Sequence, residues 1–251
     1  MPREPRLILK IATMLCYGIT AWQYARYSNT TFSYLYIGND FTETFASNVV
    51  SVMIAVLIMA SIAVWIPKLW AHAFTLTGAM VILTNAYCLT VYPPETSASF
   101  NIVSHAIRVA LPVALLFISL KRTKWAHGVL IFGISLTFVG HGLKALVSDV
   151  LFTDYLLAFF SDIGFPIELD TAILLLHMIG TFDLLLAFHL CFFRKQTVFL
   201  VLRYMMIWGL ITALARLTYS GIGAWHEILV RGPHYLVPLA LFLSYRNLKS
   251  K

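Results

Sequence analysis

Charged residues are scarce in this chain. Only 12% of its 251 residues are charged and 60% are hydrophobic, whereas about a quarter of the residues in a soluble domain are charged. Acidic residues are the rarer kind, with 11 Asp and Glu against 18 Lys and Arg. This composition excludes an ordinary water-soluble domain and predicts a protein that has a lipid bilayer as its main solvent.

Cysteines and the common catalytic motifs are also few or absent. The three cysteines fall in three different apolar stretches without CxxC spacing, which argues against a disulfide framework or a thiolate metal site. The sequence contains no Gly-rich phosphate loop, nucleophile elbow or HExxH pattern. Sequence motifs therefore indicate no nucleotide, acyl-transfer or zinc-protease chemistry.

Long apolar stretches follow one another along most of the chain. A hydrocarbon core about 30 Å thick is crossed by about 20 apolar helical residues. The stretches lack the alternation of barrel strands, so helices are the expected spanning structures. The sequence therefore predicts an all-α polytopic membrane protein with about eight transmembrane helices. The predicted spans are 7–27, 46–66, 69–92, 100–120, 127–147, 170–192, 197–219 and 231–247.

Basic residues collect on one side of this eight-span threading. By the positive-inside rule that side is cytoplasmic, which places both termini in the cytoplasm. The net charge of +7 is then explained by topology, so the expected partner is the bilayer and not nucleic acid. No small-residue cleavage site follows the first apolar run, which predicts a retained first helix. The basic residues are Arg3, Arg6, Lys10, Lys68, Lys121, Arg122, Lys124, Arg194, Lys195, Arg246, Lys249 and Lys251.

The two halves of the chain resemble each other at an offset of 121 residues. This offset predicts two four-helix repeats, residues 1–122 and 123–251. Because four is an even number of spans, the repeats would be parallel about an axis along the membrane normal. Each would hold a short interfacial helix in its long outer loop. The most informative matches are His105 with His226 and Pro112 with Pro233, while Gln23 falls opposite Lys144.

Ionisable residues gather in the outer half of the predicted bundle. A charge at the centre of a membrane helix costs about 2.5 to 3.5 kcal/mol on insertion scales, so each one needs a reason. Alternatives exist for some of them, since Lys144, Arg231 and His234 could snorkel to the interface and Glu227 could form a structural ion pair with Arg231. The cluster consists of His105, Arg108, His141, Lys144, His177, Asp183, Arg216, His226, Glu227, Arg231 and His234.

Cations outnumber carboxylates in this cluster, which suits an anion or a polarised carbonyl group. Arginine binds oxyanions through its planar fork, and histidine can pass protons near neutral pH. The residues predicted to bind substrate are His105, Arg108, Lys144, Arg216, His226, Glu227 and Arg231. The residues predicted to be catalytic are His141, His177 and Asp183, with Asp183 orienting a histidine or balancing an arginine. No metal-ligand set is predicted; the cofactor is open, and a quinone fits better than haem or a metal ion.

The second half resembles the DoxX-like membrane proteins, a family of four-helix units that includes DoxD. The stretches that carry the resemblance are Val139 to Lys144, Phe160 to Pro166, Ile179 to Asp183 and Trp208 to Arg216. Asp183 stands where the family usually has Glu, and Gln23 stands where the first half would have Lys. The resemblance implies a bacterial inner-membrane protein with redox subunits as partners and quinone as the electron acceptor.

The sequence and the resemblance together predict a subunit of a membrane oxidoreductase system. Its outer-leaflet polar pocket would take a quinone or a small anion such as a sulfur oxyanion. Two alternatives stay open, a transporter or binding protein for a small molecule or lipid, and a structural or assembly subunit of a membrane complex.

Overall fold

The computed structural model describes residues 1–27, 29–92, 96–192 and 197–249. Within these residues the chain is helical and contains no β-strand. The prediction of an all-α fold is confirmed. The basic residues Arg194, Lys195 and Lys251, which contributed to the predicted orientation, lie outside the described residues.

Long helices alternate with short ones. Short 3-10 turns at Thr96–Phe100 and Ile222–Ala224 precede α5 and α11. In chain order the helices are α1 (Arg3–Arg26), α2 (Thr30–Tyr36), α3 (Glu43–Ala63), α4 (Leu69–Val91), α5 (Asn101–Ser104), α6 (Ala106–Ser119), α7 (Thr123–Leu146), α8 (Val150–Asp162), α9 (Leu169–Phe192), α10 (Val198–Ser220), α11 (Trp225–Val230) and α12 (Gly232–Lys249).

Six helical segments are long and apolar enough to cross a membrane, and the pair formed by α11 and α12, bent by 46°, makes a seventh if it is one span. Large apolar side chains on these segments point outward, as shown by Val52, Leu174 and Leu200, which are 63%, 60% and 66% exposed. Such surfaces suit lipid and not water. The six segments are α3, α4, residues 97–119, α7, α9 and α10.

Helix α1, the first of the eight predicted spans, is not among these six. It carries Lys10 and Gln23, and it packs against α3, α6 and α12 in the middle of the bundle. Leu9 and Tyr17 of α1 are fully buried. A helix surrounded by other helices needs less apolar surface than one that faces lipid, which explains its lower hydropathy.

The order of elements in the first half recurs in the second. A long helix, a short helix, two long helices and a broken helix follow one another from α1 to α6 and again from α7 to α12. The contacts recur as well. The leading helix of each half packs on the third helix of its own half, α1 on α3 and α7 on α9. It also packs on the last helix of the other half, α1 on α12 and α7 on α6. The buried positions of the two leading helices also match at the 121-residue offset. Leu9, Cys16 and Tyr17 correspond to Leu130, Thr137 and Phe138.

The offset changes after the short helices, because α8 has 13 residues and α2 has seven. The last helix of each half breaks at His105 and at Arg231, 126 residues apart (231 − 105). The prolines inside α6 and α12, Pro112 and Pro238, have the same separation (238 − 112). The structural counterpart of His105 is therefore Arg231 and not the predicted His226. A comparison without gaps could not accommodate the longer α8.

The two halves differ in how their middle helices meet. Helix α3 packs closely on α4, whereas α9 makes few contacts with α10. Helix α9 is held instead on α7 at a crossing of two glycines. A Cβ atom added to Gly180 would lie 2.6 Å from the Gly142 carbonyl oxygen, so this approach depends on the missing side chains. The separation of α9 from α10 leaves a cavity in the second half.

Candidate functional site

A cavity of about 650 Å³ lies between α7, α8, α9 and α10, with the start of α12 at one end. Aromatic and aliphatic side chains form most of its wall, among them Phe138, Phe152 and Leu176. Ile211 and Leu214 of α10 line it and are also 46% and 43% exposed, so the cavity opens on the surface of the bundle. Its volume is in the usual range for sites that hold drug-sized ligands.

One end of the cavity is polar. We call the group formed by His141, Arg216, Arg231 and His234 the basic end. It lies towards the far end of the bundle, defined as the end at which α1, α7 and α10 finish. The rings of His141 and His234 are 5.4 Å apart. Close packing of α10 on α12 sets this geometry, since a Cβ added to Gly209 would lie 2.8 Å from the His234 carbonyl oxygen.

Helix α8 contacts the basic end through Phe152, whose ring lies 5.8 Å from that of His141, and through Tyr155. Arg216 donates a hydrogen bond from Nη1 to the Tyr155 hydroxyl oxygen at 2.6 Å. The same guanidinium lies 4.6 Å from the centroid of the Tyr155 ring, an arrangement that adds a cation–π attraction. Tyr155 thus ties the short helix α8 to the buried Arg216 of α10.

Several buried nitrogen atoms at the basic end have no hydrogen-bond partner. Leaving such an atom unsatisfied costs about 1–3 kcal/mol, and more when the group is charged. Nδ1 of His234 faces the Arg231 carbonyl oxygen at 3.1 Å and must carry the hydrogen, so Nε2 of the neutral ring is an acceptor. The unpartnered atoms at the basic end are Nε of Arg216 and Arg231 and Nε2 of His141 and His234, and Nε of the neighbouring Arg108 is also unpartnered.

The electrostatic balance of this region is strongly positive. Arg216 and Arg108 both act electrostatically on Arg231, and Glu227 is the carboxylate that acts on it. Among the described residues, no carboxylate forms an ion pair with Arg108, Arg216 or Arg231. The alternative in which Glu227 and Arg231 form a structural ion pair is therefore not met among the described residues. The helix breaks between them, because α11 ends at Val230, and this break removes the regular spacing that the prediction assumed.

Three of the predicted binding residues lie behind the cavity wall. Lys144 donates from Nζ to the Asn101 side-chain oxygen at 2.6 Å, and Nδ1 of His105 faces the Asn101 carbonyl oxygen at 2.8 Å. Arg108, Arg231 and Lys144 all act electrostatically on His105. Arg108 and Lys144 add positive charge near the basic end without lining the cavity.

His226 and Glu227 lie at the edge of the same region. Nε2 of Gln23 donates to Oε1 of Glu227 at 2.7 Å and lies 2.8 Å from Nδ1 of His226. The rings of Trp22 and Tyr27 are 5.1 and 5.3 Å from the His226 ring. These two predicted binding residues therefore contact α1 and do not line the cavity.

Asp183 lines the cavity at a distance from the basic end. Its side chain is only 4% exposed, and its Oδ1 has no hydrogen-bond partner. Trp208 and Tyr204 are the side chains that interact with the carboxylate. The prediction that Asp183 orients a histidine or balances an arginine is wrong for the described residues. Asp183 lies deeper in the bundle than the histidines and arginines of the basic end.

His177 is separated from the other predicted catalytic residues. Its Nε2 lies 3.2 Å from the Ser148 hydroxyl oxygen. Its neighbours Leu176 and Ile179 line the cavity and His177 does not, since successive helical residues are rotated by about 100°. In the described part of the chain, no three His, Cys, Asp or Glu side chains are grouped so that they could hold a metal ion.

Tyr155 and Trp208, the cavity residues that interact with Arg216 and Asp183, had no predicted role. Both are aromatic and lie in helices rich in aromatic residues, so composition alone did not distinguish them. His234 was placed in the ionisable cluster but given no role of its own. The amphipathic pattern of α8 is the one signal that could have indicated Tyr155.

No family model, curated protein or solved structure matches this chain. The resemblance to DoxX-like proteins stays a prediction.

Proposed function

We propose that this protein binds an amphipathic anion from the bilayer, with the oxyanion at the basic end and an acyl chain in the cavity. One observation carries the proposal: a largely apolar cavity ends at buried arginine and histidine nitrogen atoms that have no partners. The oxyanion of the bound molecule would accept hydrogen bonds from the Nε atoms of Arg216 and Arg231. Transport and storage of such a molecule are both compatible with binding of this kind.

The head of the ligand is inferred from the charge and geometry of the basic end. Arg216 and Arg231 carry planar forks that match the two oxygen atoms of a carboxylate or a phosphate. The nearby positive charges of Arg108 and Lys144 would further favour an anion. A carboxylate or phosphate head is therefore the chemistry that we propose.

The tail of the ligand is inferred from the walls. A small sulfur oxyanion would contact the basic end and leave the surrounding aromatic side chains without a partner. An acyl chain would fill the space beside Phe138 and Leu176. Because α9 and α10 are separated and Ile211 and Leu214 are exposed, we propose that the chain enters sideways from the lipid.

The wider architecture is proposed together with this function. Counting α1 and the bent α11–α12 pair gives eight spans, arranged as two parallel four-helix repeats. The basic loops would be cytoplasmic and the basic end would lie in the outer leaflet of a bacterial inner membrane.

A quinone is the second candidate, and the two histidines favour it. Nε2 of His141 and of His234 face the basic end without partners, and an imidazole can exchange a proton with a quinone head. In that case the protein would serve as a membrane subunit of an oxidoreductase, and partner redox subunits would be required.

Extraction of the purified protein tests the two candidates. The protein is purified in mild detergent, and its lipids are extracted and identified by mass spectrometry. Enrichment of a carboxylate or phosphate amphiphile over the whole-membrane extract, lost in Arg216→Gln, supports the proposal. Enrichment of quinone favours the second candidate. If the wild-type protein and the Arg216→Gln variant yield the same lipid profile, both candidate ligands are contradicted.

A further inference from the structure

The cavity has a second polar position, formed by Asp183. Intramembrane carboxylates are costly and mark functional positions. Asp183 is 14 residues from the start of α9 (183 − 169), and Arg216 is four residues from the end of α10 (220 − 216). With a rise of about 1.5 Å per residue, Asp183 lies about 15 Å deeper than Arg216 along the bundle. The two positions lie along one ligand-sized space.

The unpartnered oxygen of Asp183 is an acceptor that faces an otherwise apolar part of the cavity. The ring of Tyr204 stacks on that of Trp208 at 6.1 Å and meets Phe182 edge-on at 5.0 Å, so the surroundings of the carboxylate are fixed by packing. Tyr204 and Trp208 act on the carboxylate, and Oδ1 still lacks a donor. A ligand that carries only an acyl chain would leave this oxygen unsatisfied.

We infer that the ligand bears a hydroxyl group along its chain, which donates a hydrogen bond to Asp183. This inference rests on the proposed function and makes it more specific: the ligand is a hydroxylated acyl anion, with its hydroxyl group far from its head. A metal ion would need several oxygen ligands, and among the described residues no cluster of His, Cys, Asp and Glu supplies them. One acceptor facing an apolar wall fits a single hydroxyl group.

Competition between matched fatty acids tests the inference. Purified protein in detergent is loaded with radiolabelled stearic acid, which is displaced by unlabelled stearic, 2-hydroxystearic or 12-hydroxystearic acid. A hydrogen bond to a buried carboxylate predicts displacement by 12-hydroxystearic acid at a concentration lower by about tenfold. The 2-hydroxy isomer should behave like stearic acid, because its hydroxyl group lies next to the head.

The variant Asp183→Leu should lose the preference, so that 12-hydroxystearic acid and stearic acid displace the label at equal concentrations. Asp183→Asn retains an oxygen acceptor and should keep part of the preference. This variant is the control for a folding defect in the leucine variant. Equal displacement by all three acids in the wild-type protein would overturn the inference and leave the proposed function standing. Failure of stearic acid itself to bind would contradict the proposed function, whereas a preference for the 2-hydroxy isomer would contradict only the deeper site.

Discussion

Gln23 and Lys144 hold equivalent positions in α1 and α7, and each donates a hydrogen bond to the other half of the molecule. Lys144 bonds Asn101 at 2.6 Å and Gln23 bonds Glu227 at 2.7 Å. Asn101 and Glu227 are themselves 126 residues apart (227 − 101), the same separation as the two helix breaks. The leading helix of each half thus holds the segment before the break in the last helix of the other.

Changes at Gln23 test this equivalence. Gln23→Met removes the donor to Glu227 and should lower the free energy of unfolding by about 1.5–3 kcal/mol, the usual range for a hydrogen bond to a charged group. Gln23→Lys keeps a donor for the carboxylate and should retain wild-type stability. The measurement is the thermal midpoint in detergent, and equal losses in both variants would contradict the assignment.

The glycine crossing of α7 and α9 should tolerate no added methyl group. Gly180→Ala would place a Cβ 2.6 Å from the Gly142 carbonyl oxygen and lower the thermal midpoint. Gly128→Ala on α7 is the control, since a Cβ there would meet nothing within 4 Å. Alanine favours helix over glycine by about 1 kcal/mol, so the control should be neutral or stabilised. A higher midpoint for Gly180→Ala would contradict the close packing.

Much of this fold could be predicted from hydropathy and from the recurrence of residues. The predicted span 170–192 agrees with α9 almost to the residue. The offset of 121 pairs α1 with α7, and the buried positions of these two helices match at that offset. It failed at His226, since the longer α8 shifts every later element and one chain without relatives gives no place for a gap.

The candidate site was predicted less completely. Charge and depth identified Arg216, Arg231 and His141, because few residues are so costly in a membrane. They could not predict which side chains face the cavity: His177 is turned away from it and Lys144 bonds Asn101. Helical rotation and the gap between α9 and α10 decide these outcomes, and both depend on tertiary packing.

Filling the cavity should abolish binding without touching a charge. Ala215 lines the cavity, and Ala215→Trp should weaken stearic acid binding by about tenfold or more, because the added ring takes the space of the acyl chain. Leu210→Trp adds a ring to the same helix on an exposed position that does not line the cavity. Affinity is measured with radiolabelled stearic acid, and an equal effect of both variants would argue against this location.

Loss of the Tyr155 hydroxyl group should make the thermal stability of the protein depend more strongly on bound ligand. Tyr155→Phe removes the acceptor for Arg216 and should lower the thermal midpoint of the protein without ligand. An oxyanion can take over that hydrogen bond, so saturating stearic acid should raise the midpoint more in this variant than in the wild type. A smaller rise in the variant would show that the head binds elsewhere.

The affinity of the purified protein for stearic acid, compared between wild type and Arg231→Gln, tests the central claim most directly. Arg203→Gln is the control, because Arg203 lies on α10 over the Phe242 ring and does not line the cavity. Loss of one charged contact to the carboxylate predicts binding weaker by about tenfold or more in Arg231→Gln and unchanged binding in Arg203→Gln. Equal affinities in all three proteins would contradict an oxyanion at the basic end.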